Sequence, residues 1–338
     1  MKKIVLSTSL LAILSAPAMA GSFDVTVGGY YNSMFYSVDS DVKQNAVDGQ
    51  LQEDAEIIFK GKAKTDNGLE VGFQVQLEAA QSSDQVDEHY IYVKGGFGKL
   101  EIGAENSAPY KIQTTTPKFL GWKDFDNNFK TWSEVSGWDK PLHDEISADA
   151  NKINYYTPRM NGIQLALAYT PDTSNTSGHG MTLSLDDDGG YEVFSYGISY
   201  KGKVGGGTLK ASYTAEDGEA QQGAGDKEET AFGLNYKNGK FEIGVMSFEQ
   251  DDNNKEHEAL HYGVAYKVTD ATTLGFAFHD QERTNSGSKN GETDVLILGG
   301  NTKLAKGVKL TYSLEEVEST GYREGDSTFA GVGLLLKF

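Results

Sequence analysis

Gly68-Leu69-Glu70-Val71-Gly72-Phe73-Gln74-Val75-Gln76-Leu77-Glu78-Ala79 alternates along its whole length. Successive side chains of an extended chain point to opposite faces. Leu69, Val71, Phe73, Val75 and Leu77 therefore share one face, and Glu70, Gly72, Gln74, Gln76 and Glu78 the other. A strand of a soluble sandwich would read the same way, so the decision rests on how many copies the chain holds and what joins them.

Fifteen further stretches carry this period or part of it. Four lie nearby, at Phe23–Phe35, Glu53–Ala63, Asp87–Lys94 and Lys99–Ala104. Eleven follow residue 150: Lys152–Tyr156, Ile163–Thr170, Tyr191–Tyr200, Thr208–Thr214, Thr230–Tyr236, Phe241–Phe248, His257–Val268, Thr272–Asp280, Thr293–Asn301, Val308–Glu315 and Thr328–Phe338. Ile163/Leu165/Leu167/Tyr169 and Val308/Leu310/Tyr312/Leu314 are clean apolar faces, whereas Val295 to Leu298 is apolar on both. In the last stretch Thr328, Ala330, Val332, Leu334, Leu336 and Phe338 share one face.

The joins alternate in length. Short ones such as Thr65-Asp66-Asn67-Gly68, Arg159-Met160-Asn161-Gly162 and Lys237-Asn238-Gly239-Lys240 are interleaved with long ones near 37–49, 80–86, 171–190, 215–229, 249–256, 281–292 and 316–327. Asn-Gly between alternating runs is a strong hairpin signal, because both central residues of the tight turn take positive φ. A sandwich has no reason to sort its loops by parity. A membrane barrel does, with tight turns on one side and longer loops on the other. Charge sorts the same way: Lys94, Lys99, Lys201, Lys237 and Lys306 sit at short turns, Glu216-Asp217, Glu228-Glu229 and Asp251-Asp252 near long loops. Tyr169, Tyr213 and Phe248 end strands at one rim, Tyr200, Tyr236, Phe241 and Tyr266 at the other, as two interfacial girdles would. The expected fold is all-β: a transmembrane, antiparallel, up-and-down β-barrel of about 16 strands, wide enough for an aqueous channel.

Between the fifth and sixth stretches the rhythm stops. Residues 105–150 hold Trp122, Trp132 and Trp138, every tryptophan of the chain. A structureless insertion of this length argues against an assignment unless the loop is functional. This third long loop is expected to fold into the lumen and narrow it.

Composition agrees. Residues 1–20 read as a secretory signal: Lys2 and Lys3, an apolar run from Ile4 to Leu14, and Ala18-Met19-Ala20 before the cut. Residues 21–338 then form one barrel domain. Removing Lys2 and Lys3 from the 30 basic residues leaves 28 against 49 acids, a balance of −21. Such acidity excludes nucleic acid as a partner, which needs clustered Lys and Arg. With no cysteine, disulfide scaffolds and thiolate zinc sites are excluded. After the signal no apolar run reaches the ~18 residues of a membrane helix, but barrel strands cross with only alternate positions facing lipid.

Taken in order, these features resemble a Gram-negative general porin. The likeness is strongest in Asp54-Ala55-Glu56-Ile57 through the Thr65–Val71 turn, in Asp87-Glu88-His89-Tyr90 to Glu105-Asn106-Ser107-Ala108, and in Asn154-Tyr155-Tyr156-Thr157-Pro158-Arg159. The resemblance implies a sixteen-stranded homotrimer in the outer membrane, with the third external loop as the constriction. Phe338 resembles the terminal signal read by the outer-membrane assembly machinery. In the family, acids on that loop face arginines on the opposite wall. This chain has only Arg159, Arg283 and Arg323, and Pro117-Lys118-Phe119-Leu120-Gly121 stands where the enterobacterial loop has Pro-Glu-Phe-Gly-Gly. Lys60 and Lys62 would supply a weaker transverse field.

Candidate constriction acids are Asp124, Asp126, Glu134, Asp139, Asp144 and Glu145, opposed by Lys60 and Lys62. Charge in a narrow pore selects ions because hydration and screening are reduced there. Lumen-facing Glu70, Glu78 and Glu242 would add to a cation preference, and Lys210 and Lys309 would subtract from it. Asp186-Asp187-Asp188 is a weak calcium candidate, its milder form being divalent bridges from acidic loops to lipopolysaccharide. His257 and His261 share a strand face but lie ~13 Å apart along it, too far for joint ligation. Neither a phosphate-binding loop nor a nucleophile elbow occurs, so no enzyme and no cofactor are expected. The expected function is passive diffusion of ions and small hydrophilic solutes. The alternatives are a sugar-selective channel using Trp122, Trp132 and Trp138, with Phe119, Phe125 and Phe129, as a stacking track, and a closed structural or adhesin barrel.

Overall fold

The alternating segments pair in sequence order in a computed structural model that describes residues 23–41, 46–80, 86–120, 145–174, 190–221, 225–252, 255–285, 291–321 and 325–338. Before the long loop run β1 (Asp24–Ser40), β2 (Val47–Lys64), β3 (Glu70–Glu78), β4 (Val86–Gly95) and β5 (Gly98–Ala104). A four-residue helix, α1 (Ala108–Lys111), sits inside the loop. Then come β6 (Asn151–Tyr156), β7 (Ile163–Thr170), β8 (Tyr191–Val204), β9 (Gly207–Ala220), β10 (Lys227–Asn238) and β11 (Phe241–Asp251). The chain ends with β12 (Lys255–Lys267), β13 (Thr272–Asn285), β14 (Gly291–Ala305), β15 (Val308–Thr320) and β16 (Gly325–Lys337). Every neighbour is antiparallel, and β1 pairs with β16 from Tyr30↔Lys337 to Ser40↔Ser327, which closes the barrel. Closure leaves the sheet without a free edge, the condition for a sheet to cross lipid.

The two faces separate as the alternation requires. Outward-pointing Leu165, Leu167, Phe194, Tyr196, Ile198, Phe232, Leu260, Leu298, Leu314 and Leu334 are exposed, forming an apolar belt around the barrel. A surface of this kind suits hydrocarbon. Among the described residues no helix is long and apolar enough to cross a membrane. Phe248 departs from the expected girdle. It is on the lumen face of β11 and buried, edge-on to His257 at 5.6 Å. The remaining six girdle aromatics point outward. Of the three Asn-Gly turns quoted above, only Asn161-Gly162 has both residues at positive φ (50° and 89°); at Gly68 and Gly239 the glycine alone takes it.

Many strands run further toward the long loops than their apolar patterning reaches. β9 continues to Ala220, β13 to Asn285 and β15 to Thr320. Past the apolar belt the outward positions become acidic while the backbone ladder continues. Asp217 faces Glu228, which also faces Asp251; Glu249 faces Glu258, which faces Glu282; Asp280 faces Asp294, which faces Glu318. These carboxylates form an outward collar across β9–β15.

Candidate functional site

The described parts of the loop from Glu105 to Ala150, residues 105–120 and 145–150, lie against the inner wall and show how it is held. Ser107 caps α1 by accepting from the Tyr110 N–H (3.3 Å). Asn154 on β6 clamps the entry. Its Oδ1 accepts from the Ala108 N–H (2.8 Å), and its Nδ2 donates to the Asn106 carbonyl (2.9 Å). The small side chains of Ala108 and Ala166 let α1 pack against Tyr156, with Ile112 alongside. The chain then extends across the wall. Gln113 donates to Thr214 (2.9 Å), the Thr114 N–H to Ser212 (2.7 Å), and Asn235 to the Thr115 carbonyl (3.4 Å). Asn301 on β14 donates to the Phe119 carbonyl. Phe119 and Leu120 finish in an apolar cluster with Val295, Ile297, Val317, Phe329 and Met34. This packing explains why Val295–Leu298 is apolar on both faces: one side meets lipid, the other meets the loop.

The returning end is tied to the same place. Glu145 Oε1 accepts from the Ser107 N–H (2.5 Å) and from Ser147 Oγ (2.5 Å). Ser147 N–H and Ser195 Oγ donate to Glu216 (3.2 and 2.8 Å). Lys152, 3% exposed, donates to the carbonyls of Glu105 and Ala148, with its Nζ 4.0 Å from Glu145. Burial, with Glu216 beside it, pushes the Glu145 carboxyl up to about 8. Glu145 thus belongs to the root of the loop and does not line the channel, contrary to its expected place in the constriction. Asp124, Phe125, Asp126, Phe129, Glu134, Asp139, Asp144 and the three tryptophans lie outside the described residues, as do Asp186, Asp187 and Asp188.

Register places the other named residues on the lumen face. Lys60 and Lys62 are exposed there, opposite Gln74 and Gly72. Glu70 accepts from Tyr92 (3.2 Å), and Glu242 is paired with Lys237 (2.7 Å) and Asn235 (3.1 Å). Glu78 faces Glu56. Lys210 is exposed opposite Asn235, and Lys309 is half-buried opposite Lys303. The wall is thereby biased along the axis, although Glu70 and Glu242 stand among the lysines of the short-turn end. Lys60, Lys62, Lys64, Lys94, Lys201, Lys203 and Lys210 line the short-turn end. Toward the long loops stand Glu56, Glu78, Glu88, Glu216, Glu229 and Glu315. Near the loop root the acids carry cations: Lys111 bridges Glu101 (3.0 Å) and Glu105 (3.2 Å), and Lys99 bridges Glu101 (2.5 Å).

Among the described residues two carboxylate clusters could hold a metal ion, Glu56 with Glu78 and Asp87 in the lumen and Asp280 with Glu292 and Asp294 on the collar; in each the oxygens lie within 4.8 Å of one another. His261 meets His279 on the next strand (Nδ1 to Nδ1, 2.7 Å). That contact came from cross-strand register, which strand periodicity alone could not give.

A closed sixteen-stranded sheet with an apolar exterior, a charged interior and a loop fastened inside defines the channel-type barrels of outer membranes. The family model for the Gram-negative porins matches residues 7–322, and the chain belongs to that family. Among curated proteins it is 26% identical over 242 residues to an uncharacterized protein of Rickettsia conorii, covering 59% of this chain and 55% of that one. A Rickettsia felis protein is 23% identical over 275 residues, covering 64% and 60%. The chain therefore spans little more than half the length of these relatives. Solved structures of the same fold include the anion-selective porin from Comamonas acidovorans (TM-score 0.67, 16% identity, 94% of this chain and 100% of that one). OmpT of Vibrio cholerae in its trimer form is a second (TM-score 0.65, 15% identity, 94% and 100%).

Proposed function

We propose that this porin conducts ions and small hydrophilic solutes by passive diffusion, as a channel and not an enzyme, with a modest preference for cations. The observation that carries the reading is the loop, bound along the inner wall of a closed barrel whose remaining lumen surface is polar and charged. The acidic half of that wall and the chain's negative balance favour cations, while the lysines of the short-turn end temper the preference. The anion-selective porin of Comamonas shares the fold at an identity that leaves lumen residues unconstrained, so selectivity follows from this chain's own side chains. The trimer form of OmpT supports assembly as a homotrimer. The Phe338 ring, 70% exposed just beyond β16, supports recognition by the outer-membrane assembly machinery. The acidic collar lies where a barrel meets outer-leaflet headgroups and suits contact with lipopolysaccharide through divalent ions, calcium included.

The test is a planar-bilayer recording of the purified protein with a tenfold KCl gradient. Steady conductance with a cation-signed reversal potential is the expected result. An anion sign overturns the selectivity, and a silent protein points to a structural barrel. Saturable block by sugars would favour the substrate-selective alternative.

A further inference from the structure

We propose that a row of glycines on the lumen wall is the seat of the constriction loop and sets the channel's aperture, an inference that rests on the channel reading above. Gly197, Gly233, Gly244, Gly263, Gly275 and Gly299 lie on the inner faces of β8 and β10–β14, along the path the loop takes. Glycine weakens a strand interior, and its presence there marks a bulge, a bend or the close approach of another backbone. None of the six has a positive φ, so the backbone itself does not require glycine. The loop does. A β-carbon at Gly233 would overlap the Thr114 carbonyl oxygen, at Gly275 the Phe119 ring, and at Gly299 Leu120. At Gly197 it would lie 3.2 Å from Pro109, at Gly244 3.1 Å from Thr116 Cα, and at Gly263 3.5 Å from Pro117. For Gly233 and Gly275 the three nearest atoms all belong to the loop.

Dimensions show how little slack the loop has. From Thr114 over β10 to Leu120 over β14 is six residue steps, a reach of about 20 Å at full extension. Four interstrand intervals of about 4.8 Å require about 19 Å. The segment crosses the strands taut, so any atom added beneath it moves it toward the channel axis. Wall residues of minimal size, and not the loop sequence alone, thereby fix how far the loop stands from the wall.

The experiment compares wild type, Gly275→Ala, Phe119→Ala and the double variant by single-channel conductance and by sugar-driven swelling of loaded liposomes. Gly275→Ala should lower conductance by roughly 1.5-fold and reduce the largest sugar admitted, since flux through a narrow pore follows its open section. Removing the ring beneath which the new methyl sits should restore both in the double variant. If Gly275→Ala fails to assemble, recovery of assembly in the double variant supports the seat and continued failure overturns it. Wild-type conductance and exclusion in Gly275→Ala also overturn it. A wild-type protein that conducts nothing would sink the channel reading and the seat together, whereas a conducting wild type with an unaltered Gly275→Ala sinks the seat alone.

Discussion

Asn154 is the residue whose loss should most cleanly loosen the loop. It is 1% exposed and makes two hydrogen bonds to the loop's entry, accepting from Ala108 (2.8 Å) and donating to Asn106 (2.9 Å). Asn154→Ala removes both and strands a backbone N–H and a carbonyl inside the wall. Each stranded group costs about 1–3 kcal/mol. Water in the lumen recovers part of that, so about 2–4 kcal/mol of docking energy should be lost. At 1.4 kcal/mol per decade, the population of undocked root rises roughly 30- to 700-fold. Amide hydrogen exchange over residues 105–120, followed by mass spectrometry in detergent micelles, reads this population directly. Asn154→Asp, which keeps the acceptor but replaces the donor, should fall between wild type and Asn154→Ala. An increase below about threefold over this segment, with the barrel's melting unchanged, would refute the clamp.

Three further outcomes are expected. Glu145 has its pKa raised to about 8 by burial and by Glu216, so the docked root prefers the protonated form. The stabilisation is complete below the ordinary carboxylate range and fades as pH climbs through about 8; exchange over residues 105–120 should accelerate there, and Glu145→Gln should weaken the dependence. On the collar, Asp294 faces Asp280 and Glu318 across both neighbours, and its Oδ1 is buried with no hydrogen-bond partner among the described residues. Asp294→Asn should therefore stabilise the barrel by about 0.5–1 kcal/mol, seen as a higher urea midpoint, with the gain shrinking when calcium is added and returning with chelator. In the lumen, Lys60→Glu with Lys62→Glu should move the reversal potential further toward cations, and an unchanged potential would remove the short-turn lysines from selectivity.

The barrel was readable because outward positions must be apolar where lipid lies. Val71 to Leu77 on β3 and Leu260 to Tyr266 on β12 follow that rule throughout. Reading failed where the solvent changed. Beyond the belt Glu316 and Glu318 replace leucine at the same outward positions of β15, so alternation in hydropathy vanishes although the ladder continues to Thr320. The loop's place in the lumen was legible from its length and position, but its fastening was not. Glu145 is an acid in an acidic loop by sequence, and only folding brings Ser107 and Glu216 to it. The glycine seat is equally hidden from a hydropathy pattern. Glycine is neutral to an apolar–polar count, and its meaning here depends on residues far along the chain, as Thr114 and Gly233 show.

The axial split of the wall has an electrical consequence. A water column lined mostly by carboxylates at one end, and by a surplus of ammonium groups at the other, gathers potassium in one half and chloride in the other. Voltage of one polarity drives both populations toward the junction between the halves and enriches it; the opposite polarity drains it. Within a Debye length of about 10 Å at 0.1 M salt the walls control those populations, and at 1 M they scarcely do. The barrel should therefore behave as a molecular diode in dilute electrolyte and as a plain resistor in brine.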